Sequence, residues 1–190
     1  MVLKGSTGMK IIYVVRDPRD AAVSFYYHHT AVLKSSPELQ PRCPNFFDFM
    51  PNATFEDFYN VYWRDPAMAY WGLWEQHVES WLSLRDQHDM LVVRYEALSE
   101  APEREIRRIA GFLGVEVTTE QVAEVARRTT ISFMKQDKKC GLAGTKGVDT
   151  SVLRKGVVGD WESHFTSPYL RDKAEKLRKM AEQIYTKYNI

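Results

Sequence analysis

Lys10-Ile11-Ile12-Tyr13-Val14-Val15 runs straight into Arg16-Asp17-Pro18-Arg19-Asp20, and this junction constrains the fold more than any other stretch. A short, nearly continuous β-branched run suits a strand buried on both faces, as in a parallel sheet. The run stops where a helix can begin. Asp17 is placed to cap a helix whose first position is Pro18, and Asp20 sits where a carboxylate favours the positive helix end. The predicted helix passes through Ala21, Ala22 and Phe25 toward His28.

The same alternation recurs downstream. Prolines at 37, 41, 44 and 51 and the aromatic cluster Phe46, Phe47 and Phe49 predict a loop-rich stretch, then a short capped helix from Thr54 to Phe58. Trp71, Trp74, Val78, Trp81 and Leu82 fall at helical spacing, and this aromatic stripe reads as core packing. Met90-Leu91-Val92-Val93 predicts a second buried strand, ending at Arg94-Tyr95-Glu96. Pro102 opens a helix with Ile106, Ile109, Ala110 and Leu113 inward, and Gly114 closes it. Thr118 and Gln121 form a capping box for a helix through Val122 and Val125. After a Gly/Lys/Thr loop over about 136–153, Ser167-Pro168 starts a final helix that buries Leu170, Ala174, Leu177, Ala181 and Ile184. Strands alternating with helices predict an α/β fold, in which ligands bind beyond the carboxyl ends of the strands. Arg16 and Tyr95 both lie there.

Composition narrows the function classes. With 190 residues, 44% hydrophobic and 27% charged, the chain can form one domain with a substantial core. A formal charge of +1 disfavours a general nucleic-acid binder but leaves room for a local anion site. Cys43 and Cys140 have neither a disulfide framework nor metal-ligand spacing. No apolar run approaches the roughly 20 residues of a membrane helix, and MVLKGSTGMK lacks the apolar stretch of a signal peptide. The expected setting is cytoplasmic. No Gly-x-x-x-x-Gly-Lys-Ser/Thr loop exists, which argues against a nucleotide kinase.

Two segments carry candidate chemistry. Arg16 at a strand end, with Ser24 in the following helix, can hold a phosphate through a fixed fork of N–H donors and a hydroxyl. Standing alone, such an arginine is more often a solvated charge. The segment Arg154-Lys155-Gly156 allows backbone and two cations to approach one anion, although by itself it also reads as a flexible basic loop.

Together these segments resemble the cytosolic sulfotransferase family, which moves a sulfuryl group from 3′-phosphoadenosine 5′-phosphosulfate (PAPS) to a hydroxyl or amine. VVRDPRDAAVSFYYH resembles the family's strand–arginine–helix motif, with Asp17 where asparagine is common. LVVRYEAL, PEREIRRIAGFLG, RTTISFMK and RKGVVGDW resemble later family segments in the family's order. The resemblance implies that Arg16 and Ser24 bind the 3′-phosphate and that Arg154, Lys155 and Gly156 close over it. It implies that Tyr95 sits by the adenine with Thr129 and Thr130 nearby. Ile131 stands where the family has phenylalanine, so stacking on the base is lost or supplied elsewhere. Trp161 is expected to anchor the loop by packing.

The resemblance also implies a three-layer parallel sheet flanked by helices, the P-loop-NTPase-like sulfotransferase fold. Residues 1–190 then form the carboxyl-terminal part of one such domain, lacking the first strand, phosphosulfate loop and helix. Lys4-Gly5-Ser6-Thr7 mimics that loop but precedes a strand, so it reads as an ordinary connection. The family's catalytic histidine lies upstream of the Arg16 strand; His28, His29, His77, His88 and His164 lie elsewhere, with His28 read as structural, so no catalytic residue is assigned. The expected co-substrate is PAPS without a metal, and the expected acceptor is a small phenol, alcohol or amine. Its pocket could involve the aromatic residues from Phe46 to Tyr62, which could equally pack. The family's usual dimer segment is altered here at Glu162, Thr166, Ser167 and Arg171, so a homodimer is not counted on. Three readings stay open: part of a PAPS-dependent enzyme, an inactive PAPS- or PAP-binding short form or pseudoenzyme, and a fragment without a stable fold.

Overall fold

The structure is a computed structural model that describes residues 9–35, 53–64, 72–136 and 154–190. Strand β1 (Lys10–Val15) leads into helix α1 (Pro18–Ser35). A short helix α2 (Phe55–Phe58) continues as one wider π turn over Tyr59–Trp63, followed by α3 (Trp74–Leu82) and strand β2 (Asp89–Arg94). Helices α4 (Tyr95–Glu100), α5 (Pro102–Leu113), α6 (Thr119–Arg128) and α7 (Ile131–Gln136) follow. A 3₁₀ turn at Asp160–Ser163 precedes the long final helix α8 (Pro168–Tyr188).

The two strands pair in parallel, with Lys10 opposite Asp89 and Val15 opposite Arg94. Both therefore deliver their carboxyl ends, Arg16 and Tyr95, to the same edge. One sheet face is sealed by α3 and α8: Val15 and Val92 cluster with Val78, Leu82 and Ile184. A second cluster joins α1 to α8 through Val23, Tyr59, Phe165, Leu170, Ala174 and Leu177. Each large side chain so buried contributes about 2 kcal/mol, so α1 and the strand ends rest on a stiff base. The α/β class with a parallel sheet is as expected.

The two strands differ in cover. Val92 and Val93, on opposite faces of β2, are both buried. On β1, however, Ile12 and Val14 are 37% and 49% exposed, which corrects the expectation of burial on both faces. A β-branched run reports strand propensity, whereas burial depends on which layers cover each face, and among the described residues Ile12 and Val14 stay uncovered. Leu113, expected inward on its helix, is also exposed, while Glu105 is buried and takes hydrogen bonds from Arg104 and Arg108 at 3.0 Å each. Arg108 in turn donates to the Val92 carbonyl at 2.8 Å, fastening α5 to β2.

Local start and stop signals act as read. Thr118 accepts from Gln121 N–H while the Gln121 side chain accepts from Thr118 N–H, completing a capping box. Gly114 adopts φ +76, a left-handed turn that ends α5. Ser167 accepts from Leu170 N–H at 3.2 Å, and the five predicted α8 positions are all buried. Helix α1 continues past His28 to Ser35. Trp71, the aromatic cluster at Phe46–Phe49 and residues 137–153 of the predicted loop lie outside the described residues.

Candidate anion site at the strand ends

Arg16 is the first residue beyond β1, and its carbonyl accepts from the Trp74 indole N–H at 3.2 Å. That bond ties the strand end to α3, and the Arg16 guanidinium lies 4.2 Å over the Tyr95 ring. One terminal nitrogen donates to the Val157 carbonyl at 3.2 Å and stands 3.7 Å from Asp20. The Arg16 Nε–H is buried without a protein partner. A buried donor left unpaired costs about 1–3 kcal/mol.

Helix α1 starts as its sequence dictates. Asp17 accepts from Arg19 N–H at 2.8 Å, the capping interaction expected from its place before Pro18. The Asp17 carboxylate also receives the Arg19 side chain at 2.6 Å, and the Asp17 N–H donates to Glu96 at 2.8 Å. Helical spacing then brings Ala21, Ser24, Phe25 and His28 onto one face. Together with Arg16, Tyr27 and Arg154 they line a cavity of about 320 Å³.

Arg154 reaches that cavity from 138 positions further along the chain than Arg16 and is held on three sides. Its guanidinium lies 4.4 Å over the Tyr27 ring and forms an ion pair with Asp160. Its carbonyl accepts from Lys135 at 2.7 Å. Tyr27 shares a hydrogen bond with His164 Nε2 at 2.9 Å, and His164 Nδ1 bonds the Asp160 carbonyl at 3.0 Å. Burial alone would raise the Asp160 carboxyl, but donation from Lys155 and Arg154 outweighs it and holds the group below the usual range. The result is a cation fixed over a ring, paired with a carboxylate, and lining the cavity.

The remaining predicted residues take different places. Lys155 donates to Asp160 at 2.7 Å and does not line the cavity. Gly156 has φ +65 and lies against Ile131, so a side chain there has neither the backbone nor the space. Tyr95 serves as the floor under Arg16. Thr129 and Thr130 are exposed and spend their hydroxyls on α6 carbonyls, with bonds of 3.0 Å to Val125 and 2.9 Å to Arg127. Trp161 packs on the α1–α8 cluster and carries the Arg19 guanidinium 4.0 Å over its ring. Ser167, from the altered dimer segment, donates to Glu56 at 2.9 Å within the same chain.

Sequence reasoning left out Tyr27, His164, Asp160 and the tertiary role of Asp20, and it read His28 only as structural. The i, i+3, i+4, i+7 spacing of Ala21, Ser24, Phe25 and His28 was the available signal for the helix face. The partners of Tyr27 and Asp20 come from more than 130 positions away, and no local rule pairs them. Among the described residues, no group of three His, Cys, Asp or Glu is placed to hold a metal ion. No described helix is long and apolar enough to cross a membrane.

Two fixed arginines, a hydroxyl and an open cavity can bind a phosphate-like dianion by charge-assisted hydrogen bonds. Comparison with known proteins identifies the family. Sulfotransferase 1A1 of Bos taurus is 32% identical over 83% of this chain and 50% of its own length. The 3-beta-hydroxysteroid sulfotransferase of Cavia porcellus is 31% identical over 85% of this chain and 52% of its own. The chain thus spans about half the length of the curated relatives it matches. Mouse sulfotransferase SULT7A1, solved in complex with PAP, superposes with a TM-score of 0.69 over 94% of this chain and 63% of its own, at 25% identity. The sulfotransferase domain family matches residues 5–188, nearly the whole sequence, and the chain belongs to the sulfotransferase family.

Proposed function

We propose that this chain forms the 3′-phosphate and adenine side of a PAPS site, within one sulfotransferase domain that acts on a small hydroxyl or amine acceptor in the cytoplasm. The observation that carries the proposal is the convergence of Arg16, Ser24 and Arg154 on one cavity at the strand ends. Support comes from Arg16 and Arg154 lining the same cavity and from the mouse relative solved with PAP. In this reading Arg16 and Arg154 clamp the 3′-phosphate, Ser24 adds a third donor, and Gly156 lets the basic loop approach closely. Lys155 contributes through Asp160, holding the carboxylate that orients Arg154. Tyr95, Thr129 and Thr130 border the adenine. The residues present fit a nucleotide phosphate without a metal, because the charge is met by arginines.

Sulfuryl transfer, like phosphoryl transfer, depends on positioning and on charge neutralisation. This chain's residues supply the positioning: gripping the 3′-phosphate fixes the far end of the nucleotide and thereby orients its reactive end. The cations gathered here serve one anion, so the 190 residues alone are proposed to bind nucleotide but to transfer sulfuryl slowly or not at all. The test is a calorimetric titration of the purified chain with adenosine 3′,5′-bisphosphate. Saturable binding, weakened at least about tenfold by Arg16→Ala and by Arg154→Ala, is expected from the loss of a charge-assisted bond. Absence of binding at millimolar ligand refutes the proposal. A robust transfer rate from PAPS to a phenol refutes the inactivity of the chain.

A further inference from the structure

Asp20 is 1% exposed, the most deeply buried carboxylate among the described residues. It stands in the first turn of α1, where a carboxylate ordinarily serves the helix's own amides or faces water. Here both oxygens turn outward from the helix. Oδ2 accepts from Gly159 N–H at 2.8 Å and Oδ1 from Trp161 N–H at 3.0 Å. The two amides flank Asp160, whose carboxylate receives Arg154 and Lys155. Oδ2 also lies 3.7 Å from the Arg16 guanidinium. One carboxylate therefore touches the strand-end arginine and the backbone that orients the loop arginine.

We propose that Asp20 is a positioning residue: it docks the 154–161 segment on α1 so that Arg154 faces the same cavity as Arg16 and Ser24. The inference rests on the nucleotide reading above. Without the dock, Gly159 and Trp161 lose their acceptor, Asp160 loses its fixed backbone, and Arg154 is free to leave the Tyr27 ring. Arg16 and the Tyr95 floor remain. A ligand should then lose what Arg154 gives to a 3′-phosphate while keeping its other contacts.

The test compares adenosine 3′,5′-bisphosphate with adenosine 5′-monophosphate, titrated into the full chain and into Asp20→Asn. The asparagine keeps one acceptor but presents an NH₂ group to an N–H donor. The wild-type chain should prefer the bisphosphate, and Asp20→Asn should reduce that preference by about tenfold or more, the worth of one charge-assisted bond. Arg154→Ala added to Asp20→Asn should cost little more, because the two changes remove one interaction. A merely structural Asp20 would weaken both nucleotides alike and leave their ratio unchanged. If the wild type discriminates and Asp20→Asn discriminates equally, the Asp20 role is overturned alone. If the wild type shows no preference, the phosphate reading falls and takes this inference with it. Should Asp20→Asn not fold, amide exchange in the wild-type chain decides. Protected Gly159 and Trp161 amides support the dock, and exchange at unprotected rates overturns it.

Discussion

Adding one methyl group at Gly156 tests the loop geometry sharply. Gly156 has φ +65, which costs a residue bearing Cβ roughly 1–2 kcal/mol. A Cβ built there falls inside contact distance of Ile131 Cγ1 and lies 2.9 Å from Ile131 Cδ1. Overpacking of that kind costs about 1–3 kcal/mol. Both penalties fall on the docked loop, so Gly156→Ala should weaken adenosine 3′,5′-bisphosphate by about 30-fold or more, until the loop is wholly undocked. Ile131→Ala removes the colliding atoms and leaves the backbone strain. In that background Gly156→Ala should cost only about 1–2 kcal/mol, or roughly 5- to 30-fold. Calorimetry on the two single variants and the double variant reads the coupling directly. A Gly156→Ala chain that binds within twofold of wild type refutes the reasoning. An equal penalty in both Ile131 backgrounds refutes the contact and leaves only the backbone argument.

Ser24 is exposed and buries nothing, so Ser24→Ala should leave the melting temperature unchanged. The same change should weaken bisphosphate binding about tenfold or more, since one hydrogen bond to a charged group contributes about 1.5–3 kcal/mol; calorimetry and a thermal melt separate the two effects. His29 titrates far from its ordinary value: burial holds it down to about 4, against the partial support of a hydrogen bond to the Phe25 carbonyl. The folded chain thus refuses a proton that the unfolded chain accepts below 6.5, so stability is full above that pH and falls as pH drops toward 4. The loss amounts to up to about 3 kcal/mol, at 1.36 kcal/mol per pH unit. Urea denaturation between pH 7 and pH 5 should show that slope in the wild type and a flatter one in His29→Phe; identical slopes would count against it.

How much was readable in advance follows from the range of each rule. The caps at Thr118 and Ser167, the stop at Gly114 and the inward stripe of α8 depend on neighbours within one or two turns, and they stand as read. The exposure of Ile12, Val14 and Leu113 depends on which layers meet the sheet and helices, which periodicity does not encode. Asp20 shows the same limit at the site. Its position in the first helical turn suggested a dipole role, yet a tertiary contact claims both of its oxygens. Arg16, Ser24 and Arg154 could be named from their motifs because strand end, helix start and basic loop are local features. Their convergence, and the Tyr27–His164–Asp160 frame behind Arg154, exist only once the chain is folded. Arg154 and Lys155 look equivalent in sequence and both pair with Asp160, but of the two only Arg154 lines the cavity.

The most direct test of the account is a crystal structure of this chain with adenosine 3′,5′-bisphosphate. The 3′-phosphate should lie in the cavity between α1 and Arg154, within hydrogen-bonding reach of Arg16, Ser24 and Arg154, with the adenine toward Tyr95. Nucleotide bound elsewhere, or bound here with its 3′-phosphate turned away from both arginines, would contradict it.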